Sequence, residues 1–573
     1  MICRMRVILA LVIVFSINVL VAAEVPRRPN IVFLLADDLG YTDIAPYGSE
    51  VNTPTLASLA DTGIRFSNFH TAANCAPSRA MLLTGVSNHL AGVPNIPEML
   101  SPEQKLIENY QGVLGDNVVT IATLLEDAGY HTYMAGKWHL GSEPNKLPSR
   151  RGFERTVALI DSGADNWEQR PYLPIYEAAN WFADGERFDL PEDFYSSRFL
   201  IDKTIEFIDS NLADGQPFFA YVPFQAVHMP VQAPQEYIDR YLGTYDAGWD
   251  ALREARLARA VEVGLLPTKV PMTRMDTTGD WDALTDVRKR YESKRMAVYA
   301  GMIEAMDHNI GRLVAYLQMQ GELDNTIFVF TSDNGGGFRG NAPLKQGKGS
   351  LYEGGIRMPS LVRGPGIKKG SYCNVPVVQW DFLQTFYDLA GGTDPLPRDL
   401  DGGSLRDVFQ RGNKGQVKRN TKELIFHFPW HTGVAESVIR SGKYKMRKDL
   451  DSLNIKLFDI SKDLSEEDDL AAVLPDLVLK LDKKRAKYLK EVNAETVTLT
   501  RQNYVELLEG GWIENGRNRL AKLKAELVTD PSNKQKAFQV GVSQNHVDFQ
   551  DKQLERSKRL IQMHVDRGTA NKN

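Results

Sequence analysis

Long apolar runs are almost missing from this 573-residue sequence. Beyond residue 23 no stretch approaches the roughly 20 apolar residues of a membrane-crossing helix, so the body of the chain is built to fold in water. Cysteine is scarce too, three residues in all, which excludes a disulfide framework as the source of stability. Nor is there an excess of charge of one sign. A formal net charge of -5 gives no hint of nucleic-acid binding, and any anion the protein holds must be gripped by a local cluster of cations. No internal repeat or low-complexity tract stands out.

What is present is ordinary globular material, 43% hydrophobic and 25% charged, in a chain too long for one core. Residues 1–23 read as a secretory signal: Arg4 and Arg6 lead an apolar run from Val7 to Val21, and Ala22-Ala23 offers a cleavage site. The alternative is an uncleaved anchor, for which the run is short. The chain is therefore expected to be exported, periplasmic or secreted, with no membrane contact in its mature form.

The mature part opens on Asn30-Ile31-Val32-Phe33-Leu34-Leu35, a run suited to a central parallel strand buried on both faces. Helices near 55–61, 119–128 and 196–211 alternate with strands near 64–69, 131–134, 217–223 and 326–331, which predicts a mostly parallel sheet covered on both sides. Several strands end in polar groups: Asp37 and Asp38, Lys137 and His139, His228, and Asp333 with Asn334. Open α/β sheets place their sites at such ends. Between Pro144 and Pro191 periodicity is poor, and Trp167, Tyr172, Tyr176, Trp181 and Phe182 suggest either a substrate-facing wall or packed loops. Further on, a helix is expected over 380–390, strands over 423–428 and 437–446, a helix over 470–492, and charged helical segments near 517–527 and 551–565.

The stretch Asn74-Cys75-Ala76-Pro77-Ser78-Arg79 carries the sharpest signal. Pro77 suits the first turn of a helix and Gly85 its end, so Cys75 falls at a helix N-terminus, where free NH groups and the dipole should lower a thiol's pKa and seat an anion. Pairing Cys75 with Cys373 would disable it, so no structural disulfide is expected. Asp37, Asp38, Asp333 and Asn334 are hard oxygen ligands that suit Ca²⁺ or Mg²⁺ and not zinc.

Cys75-Ala76-Pro77-Ser78-Arg79 with Met81-Leu82-Leu83-Thr84-Gly85, and Gly136-Lys137-Trp138-His139-Leu140-Gly141, resemble the signatures of type I sulfatases. His131-Thr132-Tyr133-Met134-Ala135 and Phe194-Tyr195-Ser196-Ser197 are most similar to bacterial arylsulfatases of the Pseudomonas type. The resemblance implies an alkaline-phosphatase-like three-layer α/β sandwich with a smaller C-terminal α+β domain carrying an antiparallel sheet. It implies a catalytic domain over 24–404, a subdomain over 405–493 and a charged helical extension over 494–573 of open role.

It also implies that a maturation enzyme oxidises Cys75 to formylglycine, whose hydrated aldehyde attacks sulfur. Asp37, Asp38, Asp333 and Asn334 would bind one divalent cation, Ca²⁺ above Mg²⁺. Arg79 and Lys137 would position the hydrate and contact sulfate, and His139 would deprotonate the second hydroxyl. His228 and Lys348 would face the leaving-group oxygen, Lys348 being preferred to Lys345 because it stands in Gly347-Lys348-Gly349. The expected substrate is an aryl sulfate or a sulfated glycan. His427, Trp430, His431 and the 437–445 segment are similar to polysaccharide sulfatases. Two other readings stay open: a phosphonate monoester or phosphodiester hydrolase, against which Asn334 speaks because those enzymes tend to carry histidine there, and a non-catalytic glycan-binding protein should Cys75 stay unoxidised.

Overall fold

Strand β1, Asn30–Ala36, is buried at all seven positions, and its side chains alternate between two separate cores. Val32, Leu34 and Ala36 enter one, with Leu200 and Ile201 of helix Ser196–Asn211 and Met302, Ile303 and Met306 of helix Asp286–Met319. Ile31, Phe33 and Leu35 enter the other, with Ala76, Ala80 and Leu83 of helix Cys75–Thr84 and Phe382 and Phe386 of helix Asp381–Leu389. A strand between two helical layers has no wet face. That is why the run is continuous and not alternating.

The computed structural model describes residues 27–570 except 101–103, 108, 174–175, 268–269, 274–279, 338–340 and 430–432. The expected signal segment, Trp430 and His431 lie outside the described residues. No helix among the described residues is long and apolar enough to cross a membrane.

The remaining strands of the large sheet are β2 Ile64–His70, β3 His131–Lys137, β4 Arg155–Leu159, β5 Trp181–Ala183, β6 Glu186–Arg187, β7 Phe218–Pro223, β8 Thr326–Ser332, β9 Arg357–Arg363, β10 Ser371–Cys373 and β11 Val377–Val378. They form an eleven-stranded mixed sheet in the order β10-β2-β9-β8-β1-β7-β3-β4-β5-β6, with β11 beside β2. From β8 to β4 all five neighbours run parallel, whereas β9 and β5 are antiparallel insertions. β4 and the β5-β6 hairpin fall in the tract that shows no periodicity in sequence. The hairpin does carry a local signal: Asp184-Gly185 links its strands with φ 48° and 95°, the left-handed pair a two-residue turn requires.

A second, four-stranded antiparallel sheet holds β12 Leu424–Phe428, β13 Glu436–Ser441, β14 Tyr444–Asp449 and β15 Ile455–Asp459. The single strand expected over 437–446 is two, folded back at Gly442, whose φ of 59° reverses the chain. The following helix spans Pro475–Glu491 and starts five residues later than expected, because Pro475 fits its first turn. The charged C-terminal segments are longer helices than expected, Ile513–Thr529 and Lys534–Ala570, preceded by an unanticipated Val497–Leu507. Asn503 Nδ2 donates to Met99 O at 3.0 Å, and Tyr504, Leu508 and Ile513 pack with Met99.

The two sheets are joined by a buried ion network. Lys445 Nζ of β14 lies 2.8 Å from both Glu353 Oε1 and Glu466 Oε1, and Glu353 Oε2 meets His70 Nε2 of β2 at 3.2 Å. Burial pushes Glu466 up to about 7 even with Lys445 beside it. Removing one member of such a cluster strands the others' charge away from water. Lys445→Met is therefore expected to cost about 3–5 kcal/mol in urea unfolding, and a change below about 1 kcal/mol would show the network to be incidental.

Candidate active site

Four adjacent parallel strands, β8, β1, β7 and β3, end on one edge of the large sheet, and each delivers a polar side chain there. Asp333 and Asn334 follow β8, Asp37 and Asp38 follow β1, His228 lies beyond β7, and Lys137 closes β3 two residues before His139. β3 can lie this close because its Gly136 has φ 140° and no side chain; a Cβ there would fall 2.0 Å from Pro223 O of β7. Asp38 and His139 take left-handed backbone at φ 61° and 59°, which for non-glycine residues is held only by their surroundings.

The Cys75–Thr84 helix brings its first residue to this edge. Asn74 is its N-cap, with Oδ1 accepting from Cys75 N at 2.9 Å, and Gly85 ends it at φ 71° with its NH on Met81 O. One turn in, Arg79 Nε and Nη2 donate to Asp333 Oδ2 at 3.1 and 2.8 Å, Nη1 donates to Lys137 O at 2.6 Å, and Nη2 lies 3.3 Å from Asp37 Oδ2. Lys137 Nζ donates to the same Asp37 oxygen at 2.5 Å. Both cations, expected on the nucleophile and sulfate, thus also neutralise the carboxylates beneath it.

Lys348 Nζ lies 2.8 and 2.9 Å from the two Asp38 oxygens and 3.3 Å from Cys75 Sγ. Lys345 points elsewhere, to Glu467 at 2.9 Å. His228 Nε2 stands 3.7 Å from Asp38 Oδ2, its Nδ1 donates to Met229 O at 2.6 Å, and Tyr172 packs edge-on at 5.1 Å. Of the other aromatics in that tract, Trp181 is core and Trp167 is exposed. His139 is fully buried, with Nε2 3.0 Å from Glu98 Oε2. Glu98 escapes sequence reasoning: it sits in a short Pro97–Met99 turn with no motif around it, and only the fold carries it to His139.

Burial alone would raise Asp37, yet Lys137, His228, Arg79 and Lys348 together hold it well below the usual carboxylate range. Asp333 goes the other way, up to about 7, through burial and repulsion from Asp37 that Arg79 only partly offsets. Burial, helped by the charge on Lys348, pushes His228 down to about 4. For Cys75 the helix-terminus expectation fails: burial pushes the thiol up to about 12, outweighing Lys137 and Lys348. Cys75 and Cys373 are both unpaired.

A hard cation fits these residues. Asp37 Oδ1 and Asn334 Oδ1 are buried oxygen atoms with no hydrogen-bond partner. Asn334 Nδ2 donates to Asp38 Oδ1 at 2.7 Å, which leaves its oxygen as the free donor atom. Ligand atoms of Asp37, Asp38, Cys75 and His228 lie within 4.8 Å of one another. Three carboxylates and an amide oxygen are the donor set of calcium or magnesium.

The sulfatase family pattern matches residues 29–392, and that of the N-sulphoglucosamine sulphohydrolase C-terminal region matches 346–491. The chain belongs to the sulfatase family. An uncharacterised sulfatase of Schizosaccharomyces pombe is 34% identical over 547 residues, 83% of this sulfatase and 95% of the relative. An arylsulfatase of Klebsiella aerogenes is 34% identical over 464 residues, 74% and 94% of the two chains. The crystal structure of Ps i-CgsB in complex with k-i-k-neocarrahexaose superposes with a TM-score of 0.62 at 26% identity, over 81% of this sulfatase and 93% of that chain. The protein is a sulfuric ester hydrolase, and the layered mixed sheet with its antiparallel C-terminal sheet is the sulfatase fold.

Proposed function

We propose that this sulfatase cleaves sulfate monoesters of aryl alcohols or carbohydrates through a formylglycine formed from Cys75 by a maturation enzyme. The observation that carries the reading is the seat of residue 75: its Sγ lies against Lys348 Nζ at 3.3 Å and beside the oxygen cluster. A hydrated formylglycine there would supply two hydroxyls, one to attack sulfur and one to drive release. Asp37, Asp38, Asp333 and Asn334 would hold one divalent cation, Ca²⁺ before Mg²⁺, which neutralises charge on the sulfate oxygens when bound.

The chain's own groups divide the work. Arg79 and Lys137 set positive charge beneath the attacking residue, where a dianionic transition state gains most. Lys348 Nζ stands where the alcohol or phenol departs and donates to its oxygen, and His228 Nε2 faces the same oxygen as a hydrogen-bond partner that donates only when the ring is doubly protonated. Nδ1 of His228 is committed to Met229 O, so its Nε2 is the nitrogen available to the ester. His139 takes the proton from the second hydroxyl, sulfate leaves with the electron pair of the C–O bond, and the aldehyde re-forms.

The choice between an aryl and a sugar leaving group is supported on both sides. The Klebsiella relative is an arylsulfatase, whereas an N-acetylglucosamine-6-O-sulfatase of Bacteroides thetaiotaomicron is 31% identical over 468 residues, 73% of this chain and 77% of that one. Tyr172, edge-on to His228, would suit an aromatic ring or a sugar face. Export to the periplasm or medium is proposed on the N-terminal segment alone.

Hydrolysis of p-nitrophenyl sulfate beside the matching phosphodiester tests the reading, with a panel of sulfated glycans scored for sulfate release. Sulfate monoesters are expected to exceed the phosphodiester in kcat/KM by at least about tenfold, roughly 1.4 kcal/mol of transition-state preference. The reverse order would favour the phosphodiester hydrolase. Binding of sulfated glycans with no sulfate released from any compound would favour a non-catalytic protein.

A further inference from the structure

Glu98 lies outside every motif that marks the site, yet it touches the residue proposed to drive sulfate release. We infer that Glu98 is a positioning residue, holding His139 as the tautomer protonated on Nε2 so that Nδ1 is the nitrogen that accepts the proton. The inference rests on the reading of His139 as the base of the release step.

The geometry leaves one arrangement of protons. His139 Nε2 and Glu98 Oε2 are 3.0 Å apart in a fully buried contact. A neutral imidazole with its lone pair on Nε2 would oppose two acceptors across that distance, so the proton belongs on Nε2 and the lone pair on Nδ1. His139 Nδ1 is buried and has no hydrogen-bond partner among the described residues. After Glu98, the charges acting on this ring are those of Lys137 and Arg79, both at the proposed nucleophile.

Glu98 is itself fixed. Its second oxygen, Oε1, accepts from Ser162 N at 3.2 Å and from Tyr176 Oη at 3.2 Å. Burial would raise its pKa, but His139 holds it down at about 2, so it stays an acceptor at neutral pH. In the release step Nδ1 takes the hydroxyl proton of sulfated residue 75, the bond from its carbon to the sulfate oxygen breaks, and the carbonyl forms from the deprotonated oxygen. The imidazolium then faces the Glu98 carboxylate, which offsets its charge until the proton passes to water.

Glu98→Gln separates this role from mere support of the loop. Ser162 N–H requires an acceptor, so the amide oxygen turns to it and the NH₂ turns to His139, moving the ring proton to Nδ1 and blocking the base. With p-nitrophenyl sulfate the variant is expected to release about one p-nitrophenol per site in a burst and then turn over at least about a hundredfold slower than the parent. The tryptic peptide 66–79 should gain a sulfo group of about 80 Da, a mass set by covalent chemistry. Glu98→Asp should recover part of the lost turnover. Tyr176→Phe, which keeps the ring and removes one donor to Glu98, should slow the same step by a few-fold.

His139→Ala is run beside them. If it does not accumulate the sulfated peptide, the release-base reading is wrong and this inference falls with it. If it does while Glu98→Gln turns over at the parent rate, Glu98 positions nothing. A folded Glu98→Gln protein that loses the burst together with the turnover would also overturn the inference, because the defect would then precede release.

Discussion

Cys75→Ser is expected to stop the sulfatase within one turnover. Serine has nearly the shape of cysteine, and residue 75 already has polar neighbours in Asn74 Oδ1 and Lys348 Nζ, so the fold and its thermal midpoint should be unchanged. A single hydroxyl can attack sulfur but leaves no second one to expel sulfate. Steady-state hydrolysis should fall by at least about a thousandfold, equivalent to roughly 4 kcal/mol of activation free energy. Either a sulfated serine accumulates or no reaction is seen. Turnover of Cys75→Ser at the parent rate would dismiss the two-hydroxyl mechanism.

Removing the proposed divalent cation should be nearly as costly. Asp37, Asp38 and Asp333 are buried at neighbouring strand ends, where Arg79 bridges Asp333 and Asp37, Lys137 pairs with Asp37 and Lys348 pairs with Asp38. Two oxygen atoms there, on Asp37 and Asn334, have nothing to bond to. Exhaustive chelation is expected to lower activity by about a hundredfold or more and to lower the unfolding temperature, because a ligand present at a thousand times its Kd contributes about 4 kcal/mol to stability. Added Ca²⁺ should restore both. Activity and unfolding temperature that survive chelation unchanged would remove the metal from the account.

Local features of the sequence announced much of this site, and their limits are physical. β1 was legible because burial on both faces writes an unbroken apolar run, and Asp37 and Asp38 follow directly on it. Cys75 was legible as a helix start because Asn74, Pro77 and Gly85 are local signals. Its thiol pKa was not, since burial by distant elements outweighs the helix end that the sequence displays. Lys348 could be set above Lys345 only by motif, and the fold separates them by sending Lys345 to Glu467.

Other features had no local signature at all. β4 lies in a tract whose neighbours give no period, and its pairing with β3 depends on residues more than a turn away in sequence. The break at Gly442 was written in the sequence, but a single glycine inside a strand pattern is a weak mark of a hairpin, since it equally marks a bulge. Glu98 joins His139 across 41 positions, and Lys445 joins Glu353 across 92; such contacts follow from topology and not from spacing.

The most direct test of the account is the mass of tryptic peptide 66–79 in protein purified from its native host. Oxidation of Cys75 to formylglycine predicts a peptide about 18 Da lighter than the encoded sequence, hydrating in water at a single residue. A peptide carrying only the unmodified thiol, in enzyme that hydrolyses sulfate esters at full rate, would contradict it.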